Sequence, residues 1–177
     1  MIVVIGVLGL IFVPMIVETR LASRNERAQR ARGGLEPVGD VYKIMQVAYP
    51  GAFAVMIAEA AMRGGPTAAV FAAGCAVFVA AKTLKWWAIH TLGAAWTFRV
   101  IVVPGARRIR SGPYRHLPHP NYVAVAGELV GTALMTGARI SGPVATVMFA
   151  LLILKRISVE SRALESSLAA PVDQRNR

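Results

Sequence analysis

The sequence predicts an all-α, polytopic membrane protein of about five transmembrane helices, and three observations carry that prediction. Of its 177 residues, 55% are hydrophobic and only 16% charged, with a mean hydropathy of +0.53, too apolar for an ordinary soluble domain of this size. The apolar residues gather into runs of about the length needed to cross a bilayer. The Lys and Arg residues behind the net charge of +11 fall in blocks between those runs, as positive-inside topology requires. That blocking argues against a nucleic-acid partner and for contact with the headgroups of membrane lipids. Cys75 is the one cysteine and lies inside an apolar run, so neither an intrachain disulfide nor a Cys-based metal site can be built. The chain reads as a single integral membrane domain: residues 1–84 hold three spans, 85–165 a core with two more, and 166–177 a polar tail.

Met1 to Val17 is the first span, interrupted only by glycines and Pro14. It starts apolar, lacks a basic leading segment and is followed by no small-x-small cleavage site, so it is read as a helix entering from outside and not as a signal peptide. Arg20, Arg24, Arg27, Arg30 and Arg32, with Glu18 and Glu26 among them, then predict a cytoplasmic interfacial helix against anionic headgroups. Tyr42 to Met62 is the second span, with a kink expected at Tyr49-Pro50-Gly51 and Glu59 near its outer end. Arg63-Gly64-Gly65-Pro66 turns the chain into a third span from Thr67 to about Leu84. Lys82, Lys85, Trp86, Trp87, His90, Trp96 and Arg99 follow as an aromatic and basic belt, the composition of a helix leaving the bilayer. Val100 to Arg110 reads as extended, with Arg107, Arg108 and Arg110 near a Pro104-Gly105 turn.

The most informative stretch is Ser111 to Tyr122, Ser-Gly-Pro-Tyr-Arg-His-Leu-Pro-His-Pro-Asn-Tyr, directly before an apolar segment. Gly112-Pro113 signals a turn, and Pro120 suits the first turn of a helix, where its missing N–H has no partner to lose. His119 is thereby placed at the mouth of the fourth span, Pro120 to about Met135, where free N–H groups and the helix dipole favour an anionic group. Gly127 and Gly131 are spaced for close helix contact, and Glu128 between them should face protein or a water-filled cavity. Gly137 to Gly142 is a second outer turn and Pro143 to Ile157 the fifth span. Lys155 and Arg156 at its end, then Glu160, Arg162 and Glu165, lead to a terminus expected to be disordered. Of all Lys and Arg, only Arg63 and Arg139 then fall outside, which puts the central motif and the C-terminus on the cytoplasmic side and the N-terminus outside.

Arg156 and Glu160 lie four residues apart, on one face of a continued helix at headgroup depth. Alone they read as an ordinary interfacial ion pair, and His119 alone as a helix-end residue bonded to backbone. His116 and His119 have no Cys or carboxylate at a familiar ligand spacing, so no metal site is expected. Taken together, Gly112-Pro113-Tyr114, His119-Pro120-Asn121-Tyr122, a span with Gly131, and Arg156-Ile157 with Glu160 resemble the isoprenylcysteine carboxyl methyltransferase family over about Trp96 to Leu164. The resemblance implies an S-adenosyl-L-methionine-dependent membrane O-methyltransferase. It implies that Arg99, Ile109, Tyr114, His119, Pro120, Asn121, Tyr122 and Glu160 contact the cofactor, while Arg156 meets the acceptor and acts with Glu160 in catalysis. The acceptor would be a prenylated cysteine carboxylate or, alternatively, a hydroxyl on a long-chain phenol or pyrone; a non-catalytic lipid-binding membrane protein is the rival of another class. One position departs from the family pattern: Pro118 stands where Arg usually precedes His-Pro, with Arg115 the nearest replacement.

Overall fold

The computed structural model describes residues 2–106 and 109–169, with side chains described for residues 6–106 and 109–163. Five helices follow one another: α1 (Ile2–Ala31), α2 (Tyr42–Arg63), α3 (Ala68–Leu92), α4 (Pro120–Thr136) and α5 (Ser141–Ala169), with short 3₁₀ turns at Gly93–Ala95 and Gly112–Arg115. α1, α2, α3 and α5 are long and apolar enough to cross a membrane; α4 has 17 residues and falls just short. Large apolar side chains such as Val13, Ile16, Val47, Val55, Val144, Met148 and Leu154 point outward, as lipid-facing residues must. This is an all-helical polytopic membrane protein.

The first span does not end at Val17, and no separate interfacial helix follows it. α1 is unbroken to Ala31, because one face carries straight through. Ile11, Glu18, Ala22, Asn25 and Gln29 are all buried, with half-buried Met15 between the first two, and steps of four and three residues keep them in line. The apolar half of this stripe packs in the membrane, and its polar half is consumed by hydrogen bonds. Asn25 donates to the Gly93 and Trp96 carbonyls at 3.0 and 2.8 Å, and Gln29 to those of Ala94 and Ala95 at 3.1 and 3.0 Å.

Helices α3 and α4 form the closest pair. A Cβ on Gly131 would lie 2.7 Å from the Phe78 backbone nitrogen, one on Gly74 2.5 Å from that of Met135, and one on Gly127 2.9 Å from Ala81 Cβ. The Gly127/Gly131 spacing thus does what it predicts, letting two backbones meet where a side chain would hold them apart. α4 stops at Gly137, whose φ of +67° is left-handed, and the following N–H of Ala138 reaches the Ala133 carbonyl at 3.0 Å. Glu59 of α2 then caps α5, accepting from the Ile140 and Ser141 N–H groups at 3.2 and 2.7 Å and from the Ser141 hydroxyl at 2.6 Å.

α3 also runs past the predicted exit at Leu84, and the aromatic and basic belt is largely an interior feature. Trp87 is half-exposed as an interfacial anchor should be, but Trp96 and Lys85 are fully buried. Lys82 and Lys85 meet Glu18 of α1 at 2.9 and 2.7 Å and Glu128 of α4 at 3.0 and 3.2 Å, and the Tyr49 hydroxyl of α2 donates to Glu128. Two carboxylates and two ammonium groups cancel, which is how ionisable side chains persist at membrane depth. Among its described residues Val100 to Arg110 forms no strand, and their one ladder contact is an antiparallel bridge, Leu35 and Val102 exchanging two bonds of 2.9 Å. Arg107 and Arg108 lie outside the described residues. α5 continues to Ala169, into the segment read as a polar tail, and the rest of that tail is likewise outside them.

Candidate functional site

The end of the bundle where α2 and α4 begin and α3 and α5 finish encloses a cavity of about 360 Å³, within the ordinary range of ligand pockets. Its position follows from the motif upstream of α4. Gly112 has a φ of +55° and sits so close to α3 that a Cβ there would lie 2.4 Å from the Thr91 hydroxyl, so the 3₁₀ turn lies flat on α3. Pro113 and Pro120 are fully buried on either side of this turn, and between them the chain presents Tyr114, Pro118 and His119 to the cavity. His119 occupies the capping position of α4 without a side-chain cap, which leaves its ring to stack on Tyr122 at 5.4 Å.

Tyr122 is the junction of the site. Its hydroxyl accepts from Arg156 Nε at 2.9 Å and donates to Glu160 Oε2 at 3.0 Å. Arg156 and Glu160 therefore share a face, as their spacing predicts, but they are joined through a phenol and not as a surface ion pair. Arg156 is buried: it donates to the Phe98 carbonyl, lies 3.5 Å from Asp40 Oδ1 and touches the Met45 sulfur at 3.8 Å. Glu160 is 30% exposed and stands 3.8 Å from His119 Nδ1. Burial, and after it the Glu160 charge, holds the Tyr114 phenol well above its usual pKa, so it is a neutral hydroxyl at any physiological pH.

Tyr114, His119, Asn121, Tyr122, Arg156 and Glu160 all line the cavity. Pro120, fully buried at the start of α4, does not line it, and neither Arg99 nor Ile109 reaches it. The Arg99 guanidinium is taken by Glu36 at 2.8 Å and Glu26 at 3.1 Å, and it covers the Tyr42 ring at 4.6 Å. Those ion pairs, led by the Glu36 hydrogen bond, raise its pKa further. Tyr42 in turn lines the cavity, so Arg99 backs a wall of the site without entering it.

Several lining residues carry no motif of their own. Gln46, Tyr49 and Pro50 come from the middle of α2, where Pro50 leaves the Gln46 carbonyl without its helical donor. Trp96 and Phe98 come from the loop after α3 and meet edge to face at 5.1 Å. Asp40 is the sharpest omission. It accepts from the Tyr42 and Val100 N–H groups at 3.1 and 3.0 Å and faces Arg156, and its place just before a helix was the one local signal for it. Among the described residues, Asn121 Oδ1 and Trp96 Nε1 are buried without a hydrogen-bond partner, and both residues line the cavity, so unmet hydrogen-bonding capacity lies beside it.

The sequence profile of the isoprenylcysteine carboxyl methyltransferase (ICMT) family matches residues 72–166, more than half of the chain. The chain belongs to this family. The match takes in α3 as well as the motif, α4 and α5, and so reaches upstream of the resemblance legible around Trp96. Similar proteins include YpbQ of Bacillus subtilis, 27% identical over 89% of this chain and 94% of its own length, and a Haemophilus influenzae protein, 23% identical over 81% and 84%. Both are named as uncharacterized. No solved structure matches the chain. Family membership, with the membrane-length helices, makes this an integral membrane protein of a methyltransferase family, and the matched region supplies most of the cavity lining, with α1 and α2 supplying the rest.

Proposed function

We propose that this protein is an S-adenosyl-L-methionine-dependent O-methyltransferase acting on a lipophilic acceptor at the membrane surface. The observation that carries the proposal is the Tyr122 hydroxyl held between Arg156 and Glu160 on the cavity at the mouth of α4, all three residues lying in the family-matched region. The lining suits the cofactor. S-adenosyl-L-methionine supplies, when bound, an electrophilic methyl group on a sulfonium. Tyr114 and Tyr122 offer ring faces and Glu160 a negative charge to such a cation, and His119 with Asn121 offers polar atoms to the groups around it. In-line transfer needs alignment and dryness more than covalent help, and Trp96, Phe98, Val125 and Phe149 give the cavity an apolar wall on which water binds weakly.

The charge distribution supports a cytoplasmic site and C-terminus, with the N-terminus outside. The acceptor then enters from the lipid. A carboxylate acceptor of the prenylated-cysteine kind is the leading reading, with Arg156 aligning the anion. A hydroxyl acceptor is favoured by a different observation: Asp40 already neutralises Arg156, whereas the Glu160 carboxylate is partly exposed on the cavity, with Tyr122 bonded to one of its oxygens. Transfer of labelled methyl to farnesyl-cysteine and to a long-chain phenol tests both. With a carboxylate, already ionised at neutral pH, Arg156→Ala should be the severe lesion and Glu160→Gln should leave single-turnover rates nearly unchanged. With a hydroxyl, Glu160→Gln should slow that step about 100-fold, with partial rescue at high pH. Transfer to neither acceptor class, by protein that is folded and saturated with cofactor, would remove the proposal.

A further inference from the structure

We infer that the far end of the bundle holds an anionic phospholipid, its phosphate between Arg63 and Arg139 and an acyl chain along α4 and α5. A second cavity of about 780 Å³ opens there, opposite the candidate active site, where α2 and α4 end and α3 and α5 begin. Arg63 and Arg139 both line it, and they are the two basic residues that the sequence places at this end of the spans. The Arg63 side chain is 58% exposed and lies at a loose 3.9 Å from Glu59, whose oxygens are already committed to the start of α5. Arg139 is exposed and has no ion-pair partner among the described residues. Two cations with unused donors on one cavity suit a phosphate, which guanidinium groups bind in a fork.

The rest of the lining decides which phosphate. Val130, Leu134 and Val147 make its wall, and Val130 and Val147 are themselves exposed. They continue into the outward-facing row Val144, Met148 and Leu151 of α5, so the cavity runs without a polar break into lipid-facing surface. α4, with 17 residues, rises about 25 Å against a hydrocarbon core of about 30 Å. A short helix between two long ones leaves a recess at membrane depth, and a free anion has no use for apolar walls. Charge above and an apolar track below match a glycerophospholipid with a net negative headgroup.

The test uses the full chain purified in detergent, with phosphatidylglycerol as the probe. The wild type should retain the lipid in native mass spectrometry and unfold at a higher temperature when it is added, and neither phosphatidylcholine nor inorganic phosphate should match the effect. Arg63→Gln/Arg139→Gln should weaken phosphatidylglycerol binding at least about tenfold, the scale of a lost charge-assisted bond, and cancel the thermal shift. Arg110→Gln, which removes an exposed charge from the loop before the motif instead, should keep both. A double variant at Arg63 and Arg139 that responds like the wild type, or an equal response to phosphatidylcholine or phosphate, overturns the inference. Should the double variant not fold, Arg139→Gln alone gives the same reading, and an unchanged response there is equally fatal.

Discussion

Two buried polar clusters share helix α4, through Tyr122 in one and Glu128 in the other, and differ in a single respect, whether the charges inside them close on one another. Glu18, Lys82, Lys85 and Glu128 form a complete set, two of each sign, with side-chain exposures from 1% to 13%. The chain of Asp40, Arg156, Tyr122 and Glu160 is graded instead: Asp40 and Arg156 are buried to 3% and 7%, while Glu160 is 30% exposed on the cavity. A closed set spends its charges on one another, even where Lys85 reaches the cavity wall, and fastens α1 to α3 and α4. An open-ended chain holds its far end rigid and leaves its near end available, as a binding site requires.

The comparison can be broken most forcefully at the closed cluster. Lys85→Met leaves two carboxylates facing one ammonium at membrane depth, so it should destabilise the protein by about 3–5 kcal/mol, read as a lower unfolding temperature in detergent. Adding Glu18→Gln restores the charge balance and should recover much of that loss. A Lys85→Met protein as stable as the wild type would mean that the cluster is no fastening. At the open cluster the same logic moves the effect from stability to binding. His119→Ala removes a ring that stacks on Tyr122 and a donor to the ligand, so cofactor affinity should fall roughly 10- to 150-fold, as for a lost bond to a charged group. The unfolding temperature of that variant should hardly move.

The smallest effect belongs to the strap outside the membrane. Burial pushes the Glu36 carboxyl up, but hydrogen bonds and ion pairs from Arg30 and Arg99 outweigh it and hold its pKa below the usual carboxylate value. A lowered folded-state pKa gives stability that is complete above the unfolded value and is lost as pH falls through the folded one. Because Glu36 is 26% exposed, the loss on acidification should be under about 1 kcal/mol. Glu36→Gln should flatten that part of the stability profile, measured by thermal unfolding between neutral and acidic pH.

The legible features were those with a local cause. Gly127 and Gly131 announced a close helix contact, Pro120 and His119 a helix mouth, and the four-residue step from Arg156 to Glu160 a shared face, and each has its counterpart in the structure. The closed cluster was hidden because its members come from three helices: Glu18 sits 64 residues from Lys82, and both lysines stood among tryptophans in what reads locally as a belt. α1 was cut short for a related reason. Its buried face changes from apolar to polar partway, and hydropathy sees the change while the three- and four-residue stepping that continues through it is visible only against the partners. Asp40 meets Val100, and Tyr42 meets Phe98 and Arg99, across long stretches of chain, and no local pattern encodes those pairings.

Calorimetric titration of the purified protein with S-adenosyl-L-methionine, wild type beside Tyr122→Phe, tests the central claim most directly. Removing the one hydroxyl that joins Arg156 to Glu160 leaves the membrane core untouched and the open chain cut. The account predicts saturable binding by the wild type, competed by S-adenosylhomocysteine, and an affinity at least about tenfold lower in Tyr122→Phe at equal helical content. No binding by folded wild-type protein, or equal affinity in the two, would contradict it.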